Sequence, residues 1–386
     1  MKKILILAGY YLPGYKAGGP IQSIKNLVEN FKNEYEFYIL SNDRDLGDEF
    51  PFSNIETGTW IKNNNVNIYY EDISKLSFKR LHKILNSMKF DILYLNSIFS
   101  YHFSIKPYIL TKLGLAKFTN VILAPRGNFS SGALNQKKIK KSVFIAICKI
   151  FQLYRDVIWH ASSEYDKQDI QRVLFENAKI AVARDLTANG CHLKYDKRVH
   201  KKPGNLKLVY IARIHPIKNI LKTLELLGGI DGNVEFNIYG PIEDDFYWDA
   251  CKKIITNLNS NIIVNYHGII PNNMVLEVYK NNHVAILLTH GENFGHSIAE
   301  ALIGGCPIII SDRTPWRNLE HFKVGWDLPL EREDIILDKI RHFVAMDNDE
   351  YSQMSEAAFT YAKSVSNKRE ILDSYRKMFE NSNEKN

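Results

Sequence analysis

The chain has 386 residues, of which 45% are apolar and 24% charged, and a formal net charge of +7. That length suits two domains with a buried core each, and that balance excludes bulk disorder. Cys148, Cys191, Cys251 and Cys306 form no CxxC pair, which argues against a disulfide framework or a zinc site.

The first half alternates two kinds of segment. KKILILAG reads as a buried first strand, too short before Gly9 and Pro13 for a signal peptide. A glycine-bearing loop with Gly18 and Gly19 follows, and then IQSIKNLVENF has helical spacing. EFYILSN, NVNIYY, FDILYLNS, VILAPRG and VIWHASS are further strands, with SFKRLHKILNSM helical before the FDILYLNS strand and a helix from Glu164. Apolar runs of this length between helical segments predict a parallel sheet covered on both faces.

A polar, basic stretch with glycine and proline, 186–206, reads as a linker. The alternation then restarts with LKLVYIAR, NILKTLELLG, VEFNIYG, YWDACKKIITNL, NIIVNYHG, NNMVLEVYKN, HVAILLTH, SIAEALIGG and PIIISD. The expected fold is α/β, with two doubly wound Rossmann-like domains facing a central cleft. Their expected bounds are 1–185 and 207–360, and a C-terminal helix over 361–386 crosses back to the first domain. Loops after the strands are where chemistry belongs in such sheets.

Charge is unevenly spread. Between Asp91 and Asp156 there is no acidic residue and there are ten basic ones, four of them in QKKIKK. The segment 136–155, basic at one end and apolar in its body, fits an anionic membrane surface or a lipid-linked pyrophosphate acceptor, or else an ordinary surface helix with its apolar face in the core. No stretch has the ~18 apolar residues of a membrane span, so the expected location is the cytoplasm, with peripheral contact at the inner face of the membrane. No nucleic-acid motif accompanies the charge, and nucleic acid is not an expected partner.

The most informative segment is Thr289–Glu320. A strand ends at His290, a loop carries Glu292, and a helix begins near His296 with Glu300 about one turn in. A helix start offers unpaired N–H groups and partial positive charge, which suits a diphosphate. Asn293, Phe294 and Gly295 would present backbone N–H groups, Glu292 would accept from sugar hydroxyls, and Glu300 would reach a ribose diol. The alternative is that both glutamates merely favour a helix start. Arg213 and Lys218, five residues apart in the loop after LKLVYI, can clamp a diphosphate leaving group. Gly18 and Gly19 allow close backbone approach to the donor. Gly240 ends a strand in the same domain, and the backbone of Ile269 or Ile270 is a candidate contact to the base. Glu243, Asp244 and Asp245 read as a solvated loop, and the histidines lack metal spacing, so no metal is expected. Arg126, Asn128 and His102, on first-domain loops, are candidate acceptor contacts.

The Glu-x7-Glu segment ENFGHSIAE, continued by ALIGGCPIIISDRTPWRNLE and VGWDLPL, resembles the donor site of the family 4 retaining glycosyltransferases (group 1). AGYYLPGYKAGGP, LAPRGNFSSGAL and WHASSEYDKQDI resemble that family's first domain, so the likeness runs through nearly the whole chain in order. Asn293 departs from it, since many members carry glycine there. The resemblance implies the GT-B fold and makes Arg213 and Lys218 the paired phosphate-binding cations. It further implies metal-independent transfer with net retention, a nucleotide-diphosphate sugar as co-substrate (a UDP-sugar favoured over a GDP-sugar) and no cofactor. The implied acceptor is a saccharide or lipid-linked saccharide in surface polysaccharide assembly. An epimerase or phosphorylase on the same scaffold, or a non-catalytic nucleotide-binding subunit, are the rival readings.

Overall fold

The apolar runs become strands because, with helices on both faces, their side chains have no solvent side to alternate toward. The computed structural model describes all residues except 64–65, 136–137, 175, 188–193, 197–198, 366–367 and 381–386. Cys191, Gln136 and Lys137 therefore lie outside the described residues. One sheet holds β1 (Lys2–Leu7), β2 (Tyr35–Asn42), β3 (Trp60–Asn63), β4 (Val66–Glu71), β5 (Ile92–Asn96), β6 (Asn120–Ala124), β7 (Ile158–Ala161) and β8 (Ile180–Val182). Their spatial order is 3-4-2-1-5-6-7-8, with only the β3–β4 pair antiparallel. The other sheet holds β9 (Asn205–Ile211), β10 (Asn233–Tyr239), β11 (Ile262–Tyr266), β12 (Val284–Leu287), β13 (Ile308–Ser311) and β14 (Gly325–Leu328), all parallel, in the order 11-10-9-12-13-14. The direction of winding reverses at β1 in the first sheet and at β9 in the second, and a crevice for a ligand opens at such a point.

The chain divides into two units, Met1–Leu186 with Lys368–Asn386, and Thr187–Asn367. Helix starts follow local chemistry: the side chains of Ser77, Ser163 and Asp244 accept from the N–H groups of Arg80, Asp166 and Tyr247. Of the expected C-terminal helix over 361–386, the structure describes helix up to Val365 and again over Lys368–Glu380. Helix Asn348–Val365 belongs to the second unit, where Tyr351, Ala358 and Ala362 are buried. Helix Lys368–Glu380 packs on the first sheet with Tyr375, Met378 and Phe379 buried, and Phe379 lies 5.2 Å edge-on from Tyr35. Of the expected long basic helix, the described residues are helical over Lys138–Ile150 and turns follow. Among the described residues no helix is long and apolar enough to cross a membrane.

The stretch read as a linker is partly structural. Leu186 is buried in the first unit. Lys201 is buried in the second, where its ammonium donates to the carbonyls of Lys202, Val344 and Met346 at 3.0, 3.1 and 3.0 Å. Those of Val344 and Met346 lie at the end of helix Glu333–Ala345, and the Val344 and Lys202 carbonyls also accept from the Gly204 and Asn205 N–H groups. Lys201→Met is expected to cost about 1 kcal/mol by leaving the Met346 carbonyl without the ammonium. A urea midpoint equal to that of the parent protein would show that water replaces the ammonium.

Candidate active site

The loops after β9 and β12 emerge side by side at the reversal point of the second sheet. The β12 loop runs into helix His296–Ile303 through Gly295, whose φ is +80°. A Cβ there would stand 2.8 Å from Ile298 Cδ1 and 3.2 Å from Glu292 Cγ, so only glycine permits this entry. Gly295 brings no side chain to cap the helix. The N-terminal dipole of the first turn is thus not neutralised by the cap residue. Phe294 is buried, and its carbonyl accepts from the Trp316 indole N–H at 2.6 Å. Asn293 sits half-buried between Phe294 and Glu292.

Lys218 and Glu292 meet. The Lys218 ammonium lies 2.5 Å from Glu292 Oε2, with both side chains largely buried. Lys218 closes a short helical turn, Pro216–Lys218, capped by the His215 ring, and Asn219 at φ +55° turns the chain into helix Ile220–Leu227. The two loops are laced together by the backbone. His290 N–H donates to the Ile217 carbonyl at 2.8 Å, and the buried Thr289 hydroxyl lies 2.9 Å from the Ile217 and Gly291 carbonyls. Glu292 N–H donates to the Arg313 carbonyl after β13 at 3.1 Å. On the other side Ile214 N–H donates to the Pro241 carbonyl, and Glu243 N–H returns to that of Ile214. Arg213 pairs with Glu243 at 2.5 Å, a different carboxylate from that of Lys218.

Glu300 is half-buried on the same helix, and burial pushes its carboxyl up to about 7. Gly240 has φ +135°, and a Cβ would lie 2.0 Å from the Ala212 carbonyl oxygen. Close approach of neighbouring strand ends is enough to require glycine there. Ile269, 42% exposed, follows Gly268 beyond β11, beside a stacked Tyr239–His267 pair 4.5 Å apart.

The first-unit candidates separate into different tasks. Gly18, at φ +65°, precedes helix Gly19–Phe31, and a Cβ there would meet nothing within 4 Å. Open space therefore surrounds that turn. Arg126 is expected to meet an acceptor, but its guanidinium is buried and committed. It pairs with Asp185 at 2.6 Å and donates to Asn96 and to the Tyr94 hydroxyl at 3.1 Å each. Asn128 is half-buried, and its side-chain oxygen accepts from the Ser97 hydroxyl and the Ile98 N–H, fixing the loop after β5. His102 lies in the helical turn Tyr101–Ile105, where burial and the Lys106 ammonium 3.4 Å away hold it below the usual imidazole range.

Of the three acids expected to be a solvated loop, Glu243 pairs with Arg213 and Asp244 caps a helix. Among the described residues no group of three or more His, Cys, Asp or Glu could hold a metal. Sequence reasoning missed Thr289 and Arg313. The only local signal for Thr289 is a lone hydroxyl at a strand end before Gly291.

Residues 194–360, within the second unit, match the family model "Glycosyl transferases group 1". An uncharacterized 41.2 kDa protein in the cps region of Klebsiella pneumoniae is 27% identical over 250 residues, 62% of this chain. The match spans 66% of that protein's length. Among solved structures, the sucrose-phosphate synthase of Thermosynechococcus elongatus superposes with a TM-score of 0.73 at 13% identity, covering 98% of this chain and 99% of its own. Anabaena HepE, in complex with UDP and glucose, gives 0.67 at 13% identity with the same coverage. These likenesses establish the GT-B fold.

Proposed function

We propose that the chain is a retaining, metal-independent glycosyltransferase using a nucleotide-diphosphate sugar, with UDP favoured as the nucleotide. The observation that carries this reading is the Lys218–Glu292 pair beside the uncapped start of helix His296–Ile303, at the reversal point of the second sheet. The helix start and Lys218 hold the diphosphate, with Arg213 beside them once it exchanges Glu243 for phosphate. Glu292, released from Lys218, accepts from sugar hydroxyls, and Glu300 accepts from the ribose. Within the second unit Gly240, Ile269 and the 293–295 loop shape the space around them.

The bond from the anomeric carbon to the phosphate oxygen breaks, and its electron pair leaves on the phosphate. The acceptor oxygen bonds to the anomeric carbon on the same face, and its proton passes to the departing phosphate oxygen. Lys218, Arg213 and the helix start offset the charge that develops there. The relative from a cps region suits an acceptor in surface polysaccharide assembly, either a saccharide or its lipid-linked form.

The test is release of nucleotide from a panel of nucleotide-sugars, with and without saccharide acceptors. Slow UDP release from one donor is the expected result. Tight UDP binding with no release from any donor would instead favour the non-catalytic subunit.

A pH dependence follows from Glu300. Hydroxyl donors stabilise its ionised form, so binding lowers a pKa that begins near 7 and expels a proton. UDP affinity is expected to rise with pH through that region and then level off, and Glu300→Gln should flatten the profile. Calorimetry across this range reads both, and an unaltered slope in the variant would remove Glu300 from the ribose site.

A further inference from the structure

The helix Lys138–Ile150 has its apolar residues on two faces, and only one of them is used by the core. Cys148 is buried, Phe144 and Ile145 pack on the first unit's core, and the Phe144 ring lies 5.6 Å from Phe99. Ile139, Val143, Ile147 and Ile150 point the other way and are 80, 55, 42 and 74% exposed. At 100° per residue these four, with exposed Ala146, fall within an arc of about 100°. Exposed Lys140 borders one edge of that arc, and exposed Lys138 and Lys149 lie beyond the other. Phe151, 70% exposed, extends the apolar surface past the helix end.

A stripe of large aliphatic side chains in water is unfavourable unless something covers it. Its lysine borders say what that is. No acidic residue occurs from 92 to 155, so the surrounding chain supplies cations only. The nearest carboxylate in sequence, Asp156, is engaged by Lys112 at 2.5 Å. Apolar residues flanked by ammonium groups on flexible stems match an acyl layer beneath anionic headgroups, with the stems reaching outward from the apolar body. We infer that this face of the first unit lies on an anionic lipid surface, with Ile139, Val143, Ile147 and Ile150 inserted below the headgroups. The proposal is independent of sugar transfer, since it requires neither donor nor acceptor.

The test is co-sedimentation of the full chain with phosphatidylcholine vesicles, with and without phosphatidylglycerol. The chain should partition onto the anionic vesicles and far less onto the neutral ones, and added salt should weaken the binding. Ile147→Glu with Ile150→Glu, and separately Lys138→Glu with Lys140→Glu and Lys149→Glu, should each lower the partition coefficient at least about tenfold. All five residues are exposed, so both variants should melt with the parent protein and release UDP from the donor in solution at the parental rate. Absence of binding to anionic vesicles overturns the proposal, as does parental binding by both variants. So does a dimer in light scattering that the isoleucine variant dissociates, because the stripe would then be a contact between two copies.

Discussion

Glu292→Ala and Lys218→Ala are each expected to lower turnover at least tenfold, about 1.4 kcal/mol in the barrier, while far-UV circular dichroism stays unchanged. The two side chains form one unit, largely shielded from water and 2.5 Å apart. On the proposed reading, removing the lysine takes away a cation placed where the leaving phosphate gathers charge, in surroundings that strengthen its effect. Removing the glutamate takes away the acceptor for sugar hydroxyls and also frees the ammonium to take other positions. The double variant should therefore lose less than the product of the two single losses. Nucleotide release measured at saturating donor gives these numbers. Full turnover in both single variants would dismiss the site.

Asp185→Ala is expected to destabilise the first unit by about 3–5 kcal/mol, because it leaves the Arg126 guanidinium buried without its counter-charge. Asp185 and Arg126 are 2 and 7% exposed, and Asp185 also accepts from the Ser23 hydroxyl at 2.7 Å and lies 3.4 Å from that of Tyr375. The carboxylate thus joins the first helix, the β6 loop and the C-terminal helix in one network. Thermal melting with a midpoint lowered by several degrees checks this. Replacing both partners by apolar residues, Arg126→Met with Asp185→Leu, should recover part of the loss. An unchanged midpoint together with a raised KM for acceptor would return Arg126 to the acceptor role.

How far the sequence could be read follows the range of each interaction. The central strands were legible because burial on both faces makes their sequences continuous apolar runs, as in ILIL of β1 and ILYL of β5. The edge strands β3 and β8 escaped, being four and three residues long and at most half-buried. The turn from Glu292 through Gly295 into a helix carrying Glu300 was readable because strand, loop and helix are adjacent in sequence. The Lys218–Glu292 contact was not, since 74 positions separate the partners and no spacing rule reaches that far. The Arg126–Asp185 pair was out of reach for the same reason, with Asp185 lying 59 positions on in another loop. Periodicity in 138–150 gave the helix its apolar positions but could not say which of them meet the core.

The hydrogen bonds stitching the turns after β9, β10, β12 and β13 also bear on how this protein can diversify. Lengthening the β9 or the β12 turn would tear contacts to a neighbour on each side, so insertions there carry a penalty beyond their own length. Side chains on the rim are exchangeable in a way its backbone is not. On the proposed reading, discrimination among sugars should therefore evolve by swapping single residues such as Asn293 on a frame that holds its shape.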